Sequence, residues 1–280
     1  MRNFLGDVSD LPRLRRAFKR IDVVVLAAAL KQVHAAAYNP FECIKTIFWG
    51  AQNVVGACLD SKLSRLVALS TDEAAAHINL YSAAKLCLEK LFVAAINIRG
   101  ERDIRFSVVR CGNVMGSRDP VTPVFLKNRK HGYFLITDPA MTQFNIAIED
   151  SVEMGLWSIN NALGSEIVVP KISSHRITDV STAVNAACEQ KIVGICPGRK
   201  IREEKITESD SSNTVDSGKY YAMLPVGREL TLQSFCETTE VAPVQNEYRC
   251  DSDSRPNFLS ISQFSKTIFS QVLNSPGQTP

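Results

Sequence analysis

Within the stretch STDEAAAHINLYSAAK, from Ser70 to Lys85, the chain collects hydroxyls, two adjacent carboxylates, a phenol and an ammonium. Tyr81 and Lys85 are four residues apart, a spacing that puts both on one face of a helix. An ammonium beside a phenol favours the phenolate and lowers the phenol's pKa. A phenolate can take the proton of an alcohol while a hydride leaves the same carbon, which is redox acid–base chemistry. Asp72 and Glu73 add an acid and a base for a further proton transfer. A Tyr-x-x-x-Lys pair alone recurs by chance in many helices. Its weight here comes from standing one strand and loop after Ser-Thr-Asp.

These side chains need elements that hold them together. The run Asp22 to Ala28 is continuous and β-branched, as a buried parallel strand is. Phe41 to Leu59 has Ile44, Ile47, Phe48, Ala51, Val54, Val55 and Cys58 spaced for one buried helix face. Strands follow at Arg65–Ser70 and Arg105–Arg110, with a helix from Tyr81 to Asn97 between them. Strand–helix alternation predicts an α/β fold with a doubly wound parallel sheet, and such sheets bind ligands at the carboxyl ends of their strands. Ser70, Thr71 and Asp72 fall at one such end. After Gly116 the alternation fades, although Glu149–Ala162 reads as a helix and Glu166–Pro170 as a strand returning to the sheet. The expected division is residues 1–115 for the sheet domain and 116–280 for a smaller, mixed substrate-binding region. Thr207 to Gly218 is Ser/Asp-rich and reads as a mobile loop.

Composition narrows the function classes. With 45% hydrophobic and 22% charged residues, 280 residues suffice for one large domain or two small ones. A net charge of +3 gives little pull on polyanions. Arg13, Arg15, Arg16, Lys19 and Arg20 lack interleaved aromatics, so a solvated helix face is expected and nucleic-acid binding is not. The eight cysteines form no Cys-x-x-Cys pair, and no His stands at zinc-like spacing. Buried free thiols, Cys43, Cys58, Cys87 and Cys188 among them, in a reducing cytoplasm are expected, with no metal. The longest apolar run, Val23 to Leu30, is too short to span a bilayer, so no membrane association is expected.

The motifs, taken in order, resemble one family. FLGDVSDLPRLRRAF, AAALKQVHAAAYNPFECIKT, ALSTDEAAAHINLYSAAKLCLEKLF, FSVVRCGNVMGSRDPVTPVF, MTQFNIAIEDSV, EIVVPKI and GICPGRKIRE together look like the inverting UDP-N-acetylglucosamine 4,6-dehydratases, within the extended short-chain dehydrogenase/reductases. The resemblance implies a Rossmann domain, NADP, a UDP-sugar substrate and a 4-keto-6-deoxy product. It implies that Tyr81 is the C4 base, that Lys85 holds the nicotinamide ribose, that Asp72 is the acid for water loss and that Thr71 bonds the 4-hydroxyl. Asp7 and Val8 match adenine-contacting positions, and Ala27, Ala28 and Ala29 match the backbone beneath the cofactor, with Ser70 beside it. Lys31 and Asn113 match positions facing cofactor or substrate. Association into homo-oligomers or with a full-length homologue is a further implication.

The sequence also departs from that pattern. Glu73 stands where inverting members carry Lys, and matches the Asp-Glu pair of retaining relatives instead. A carboxylate can abstract an acidified C5 proton as an amine can. Gln143 replaces an Arg, and Arg199 and Arg202 replace a Glu and a His, bringing guanidinium groups that suit a diphosphate. No G-x-x-G-x-x-G run, the turn that lets a backbone approach pyrophosphate, exists in the chain. Asn3 to Val8 matches the end of the family's third strand. About fifty residues, more than one βαβ unit, are therefore expected to be absent and the Rossmann domain incomplete. The alternative to a dehydratase is thus a truncated or non-catalytic relative that binds a sugar nucleotide or a full-length homologue.

Overall fold

The computed structural model describes residues 3–30, 33–115, 121–195, 198–226, 231–253 and 258–265. They form two compact units. One comprises residues 1–110, 153–171 and 205–249, the other 111–152, 172–204 and 250–280. The first crossing lies near the expected boundary at 115. The later crossings arise because two segments, 153–171 and 205–249, return to the first unit and add strands to its sheet.

The first unit opens with α1 (Leu11–Ala17), capped by Asp10, whose carboxylate accepts from the N–H of Arg13. None of the residues of α1 is buried, as a solvated basic face requires. Strand β1 (Val23–Leu26) follows, then helices α2 (Val33–Tyr38) and α3 (Pro40–Ile44), a π-helical turn over Lys45–Trp49, and α4 (Gly50–Leu59). At Gly50 a Cβ would meet Val8 Cγ2 at 2.8 Å, so this glycine lets the 7–9 loop lie against the helix. Asn53 secures the contact by donating its amide to the carbonyls of Val8 and Ser9. Next come β2 (Arg65–Thr71), α5 (Leu80–Ala94) and β3 (Arg105–Cys111). The sheet runs β1–β2–β3, then the strands Ile167–Pro170, Tyr220–Met223, Thr214–Asp216 and Ala242–Pro243. β1 pairs with β2 and β3 with Ile167–Pro170 in parallel, and the remaining strands are antiparallel.

The parallel strands are buried on both faces, with Leu66, Val67, Ala68, Val108, Val109, Val168 and Val169 inside. Phe92 of α5 packs on Phe106 of β3 with ring centroids 6.4 Å apart. β1 is the exception. Val23 and Val25 are 38% and 51% exposed, and no strand pairs along its outer edge among the described residues. Asn3 to Val8 forms no strand there.

Residues 207–218 are ordered, contrary to the loop expected from composition. The Thr207 and Asp210 side chains form a capping box that starts the helix Glu208–Ser211, and the fully buried Val215 anchors the strand Thr214–Asp216. The Ser/Asp content was capping chemistry rather than solvation. Cys43 and Cys58 are buried as expected, whereas Cys87 lies on the outer face of α5 and is exposed, and Cys188 is half-buried.

The second unit has its own core of Phe125, Phe134, Ile136, Met141, Ile177, Val180 and Phe264. His175 stacks on Phe264 at 4.9 Å, and burial pushes its pKa down to about 4. An unfolded histidine titrates near 6.5 and so binds its proton first as pH falls. Stability is full above pH 6.5 and declines from there through pH 4, by about 3 kcal/mol from this residue. His175→Leu is expected to flatten that limb in denaturation curves taken between pH 7 and 4, relative to the parent chain.

Candidate active site

The register Leu26↔Ala68 aligns the carboxyl ends of β1 and β2, so Ala27–Ala29 and Ser70–Asp72 leave the sheet at the same end. Ala27, Ala28 and Ala29 are exposed there. β2 passes directly into a 3-10 turn, Asp72–Ala74, whose N-cap is Thr71. The Thr71 hydroxyl donates to Asp72 Oδ1 at 2.9 Å and accepts from the N–H of Glu73 at 3.4 Å. Its proton is thus directed at the neighbouring carboxylate, not outward to a ligand. Asp72 is 1% exposed.

Helix α5 brings the phenol and the ammonium back to this point. Asn79 accepts from the Ser82 N–H at 2.9 Å, while Ser82 Oγ accepts from the Asn79 N–H at 3.2 Å, a reciprocal cap that fixes where the helix begins. Tyr81 and Lys85 lie one turn apart and both are buried. Lys85 Nζ donates to the carbonyl of Leu69 in β2 at 3.1 Å. The Ser70 hydroxyl is buried beside it without a hydrogen-bond partner.

The Tyr81 phenol is not acidified, which corrects the expectation from the Tyr–Lys spacing. Its pKa is pushed up, first by burial and then by the carboxylates of Glu73 and Asp72. Desolvation and the neighbouring carboxylates both disfavour the phenolate, and the Lys85 ammonium is directed at a backbone carbonyl. The shift also shows that the two carboxylates and the phenol share one electrostatic site.

Other expected residues stand elsewhere. Asp7 lies in an exposed turn of the first unit, its pKa lowered by hydrogen bonds from Ser9, and Val8 packs on Gly50. Lys31 lies outside the described residues. Asn113 belongs to the second unit. Its amide donates to Glu203 Oε1 at 2.8 Å, while Glu203 Oε2 accepts from the Phe144 N–H at 2.7 Å. Arg199 is exposed in that unit, and Arg202 pairs with Asp253 at 3.0 Å. Among the described residues no cluster of His, Cys, Asp and Glu could hold a metal ion, and no helix is long and apolar enough to cross a membrane.

One buried pair has no role in the motifs of the sequence. Glu89 is fully buried on α5, and Arg110 of β3 holds both its oxygens, Nε to Oε1 at 3.0 Å and Nη2 to Oε2 at 2.6 Å. The signal was available, since Glu89 continues the Tyr81–Lys85 spacing by one more turn on an otherwise apolar face.

The residues fit the nicotinamide end of a dinucleotide. The unpartnered Ser70 hydroxyl, Tyr81 and Lys85 gather at the carboxyl end of β2, where such folds bind ligands. For the pyrophosphate this chain supplies no glycine turn.

A parallel α/β sheet whose Tyr-x-x-x-Lys helix returns to the carboxyl end of a central strand defines a Rossmann-type, short-chain dehydrogenase/reductase fold. The chain belongs to the polysaccharide biosynthesis protein family, whose profile matches residues 1–225. Two Campylobacter jejuni proteins named UDP-N-acetylglucosamine 4,6-dehydratase (inverting) are similar to it. One is 47% identical over 227 residues, covering 80% of this chain and 68% of the relative. The other, from strain 81-176, is 42% identical over 266 residues, covering 93% and 80%. The solved structure of Pen from Bacillus thuringiensis superposes with a TM-score of 0.85 at 27% identity, covering 96% of this chain and 82% of that one. DesIV from Streptomyces venezuelae, a dTDP-glucose 4,6-dehydratase with NAD and TYD bound, shares the fold, with a TM-score of 0.63 at 18% identity over 70% of this chain and 68% of its own.

The cap on α5 sets the phase of Tyr81 and Lys85. Asn79→Ala should cost about 1 kcal/mol in urea denaturation, and more than a twofold loss of any ligand affinity would show that this phase matters to the site.

Proposed function

We propose that this chain acts on a UDP-linked N-acetylhexosamine as a sugar-nucleotide 4,6-dehydratase with a nicotinamide dinucleotide, NADP by family pattern. The observation that carries the reading is the convergence of Asp72, Glu73 and Tyr81 in one electrostatic site at the carboxyl end of β2. The 42–47% identity to proteins named as such dehydratases supports it. A nicotinamide dinucleotide held by Ser70, Tyr81 and Lys85 would supply the hydride acceptor for C4 of the sugar and the hydride donor for C6.

The residues divide the proton work. Burial and the two carboxylates hold the Tyr81 phenol protonated in the chain alone; with a positively charged nicotinamide ring beside it the phenolate would be favoured and Tyr81 would take the proton of the 4-hydroxyl, while Lys85 stands one turn away to hold the ribose. Ketone formation acidifies the neighbouring C–H, and Glu73 removes the C5 proton. Asp72, held by the Thr71 hydroxyl, gives a proton to the departing C6 hydroxyl. A simple C4 epimerisation needs Tyr81 and Lys85 but neither carboxylate, so the Asp72–Glu73 pair favours dehydration. Asn113 and Arg199 are assigned to the substrate by family pattern alone. Burial of the site excludes water from these transfers.

A second reading rests on Glu73, a carboxylate where the family pattern has an amine: a relative that binds a sugar nucleotide, or a longer homologue, without turnover. Calorimetric titration with NADP and NAD separates the two. Micromolar binding supports the enzyme, and binding of UDP-N-acetylglucosamine with neither dinucleotide supports the second reading. Given dinucleotide binding, Asp72→Asn should lower keto-sugar formation by about 10²–10⁴-fold with dinucleotide affinity within twofold. An Asp72→Asn chain that still makes the 4-keto-6-deoxy product at the parent rate sinks the assignment.

A further inference from the structure

Tyr81, Lys85 and Glu89 recur every four residues along α5, and all three are buried. A carboxylate four residues from a lysine is that lysine's ordinary helical partner. Here Glu89 points its charge elsewhere, because both of its oxygens accept from Arg110 in a two-bond fork. Arg110 is 2% exposed, and its Nη1 donates to the Lys205 carbonyl at 2.6 Å and toward Met223 Sδ at 3.7 Å, with Asp210 at 4.0 Å. Backbone, thioether and carboxylate thus fix the guanidinium from several sides. Lys85 meanwhile reaches the Leu69 carbonyl, one residue before the Ser70–Glu73 run.

We infer that Arg110 is a positioning residue for the proposed reaction. By occupying both oxygens of Glu89 it denies that carboxylate to Lys85 and keeps the ammonium at the carboxyl end of β2. The consequence for cofactor binding rests on the function proposed above; the placement of Lys85 does not. Without Arg110, Glu89 is a buried charge within reach of one cation on its own helix, and Lys85 turns away from Leu69 to meet it.

Three chains test this by crystallography and by calorimetric titration with NAD. In Arg110→Met, Lys85 Nζ should lie on Glu89 instead of Leu69, and NAD affinity should fall tenfold or more. In Glu89→Met/Arg110→Met the competitor is gone, so Lys85 should return to Leu69 and affinity should recover to within threefold of the parent. Replacing a whole buried ion pair by apolar residues is commonly tolerated, so the double variant folds. Should Arg110→Met not fold, Arg110→Gln, which can still donate to the Lys205 carbonyl but brings no charge to Glu89, carries the same comparison. A Lys85 that stays on Leu69 in the single variant, or a double variant as weak as the single, overturns the inference and leaves the pair as packing between α5 and β3. A parent chain that binds neither NADP nor NAD overturns the functional reading instead, and the crystallographic position of Lys85 then decides this one.

Discussion

Parallel strand pairing is the constraint from which the site follows. β1 and β2 run the same way, so the chain must leave each at its carboxyl end and return along a helix to start the next. Every departing loop therefore emerges at one edge of the sheet. Ala27–Ala29 and Ser70–Asp72 meet there for topological reasons, before any side chain is chosen. The sequence then adds the chemistry, with Thr71 capping a 3-10 turn that carries two carboxylates and Asn79 capping the helix that carries a phenol and an ammonium.

Such crowding of charge is costly in a buried setting, and the surrounding contacts show how it is offset. Three of these buried groups have a polar partner set by the backbone or by a fixed side chain. Asp72 has the Thr71 hydroxyl, Lys85 the Leu69 carbonyl, and Glu89 the Arg110 fork. Removing one member of a buried pair is far more damaging than removing both. The cluster therefore tolerates coordinated changes better than single ones. Glu73 and Asp72 are the opposite case, adjacent carboxylates that both push the Tyr81 pKa up.

Much of this was legible in the sequence. Continuous apolar runs revealed the buried strands, and the three- and four-residue spacing revealed α4 and α5, because burial on two faces and on one face leave different periods. The clustering of Ser70, Thr71, Asp72, Glu73, Tyr81 and Lys85 was legible for the same reason. Three features were not. Residues 207–218 were polar because they cap a helix, and polarity alone does not distinguish caps from mobile loops. Cys87 was assigned inward from its apolar neighbours, though its turn faces out. The direction of the Tyr81 shift depended on how much water the fold removes, which no spacing encodes.

The bare side of β1 has a consequence for how the molecule behaves in numbers. Among the described residues no strand pairs along the outer side of β1, and an edge of that kind with two half-exposed valines is a template for another strand. A net charge of +3 over 280 residues gives weak mutual repulsion to oppose such docking. A lysine or proline on the outer side of β1 is the kind of substitution that blunts an edge of this shape, because it leaves another strand no straight row of donors and acceptors to pair with.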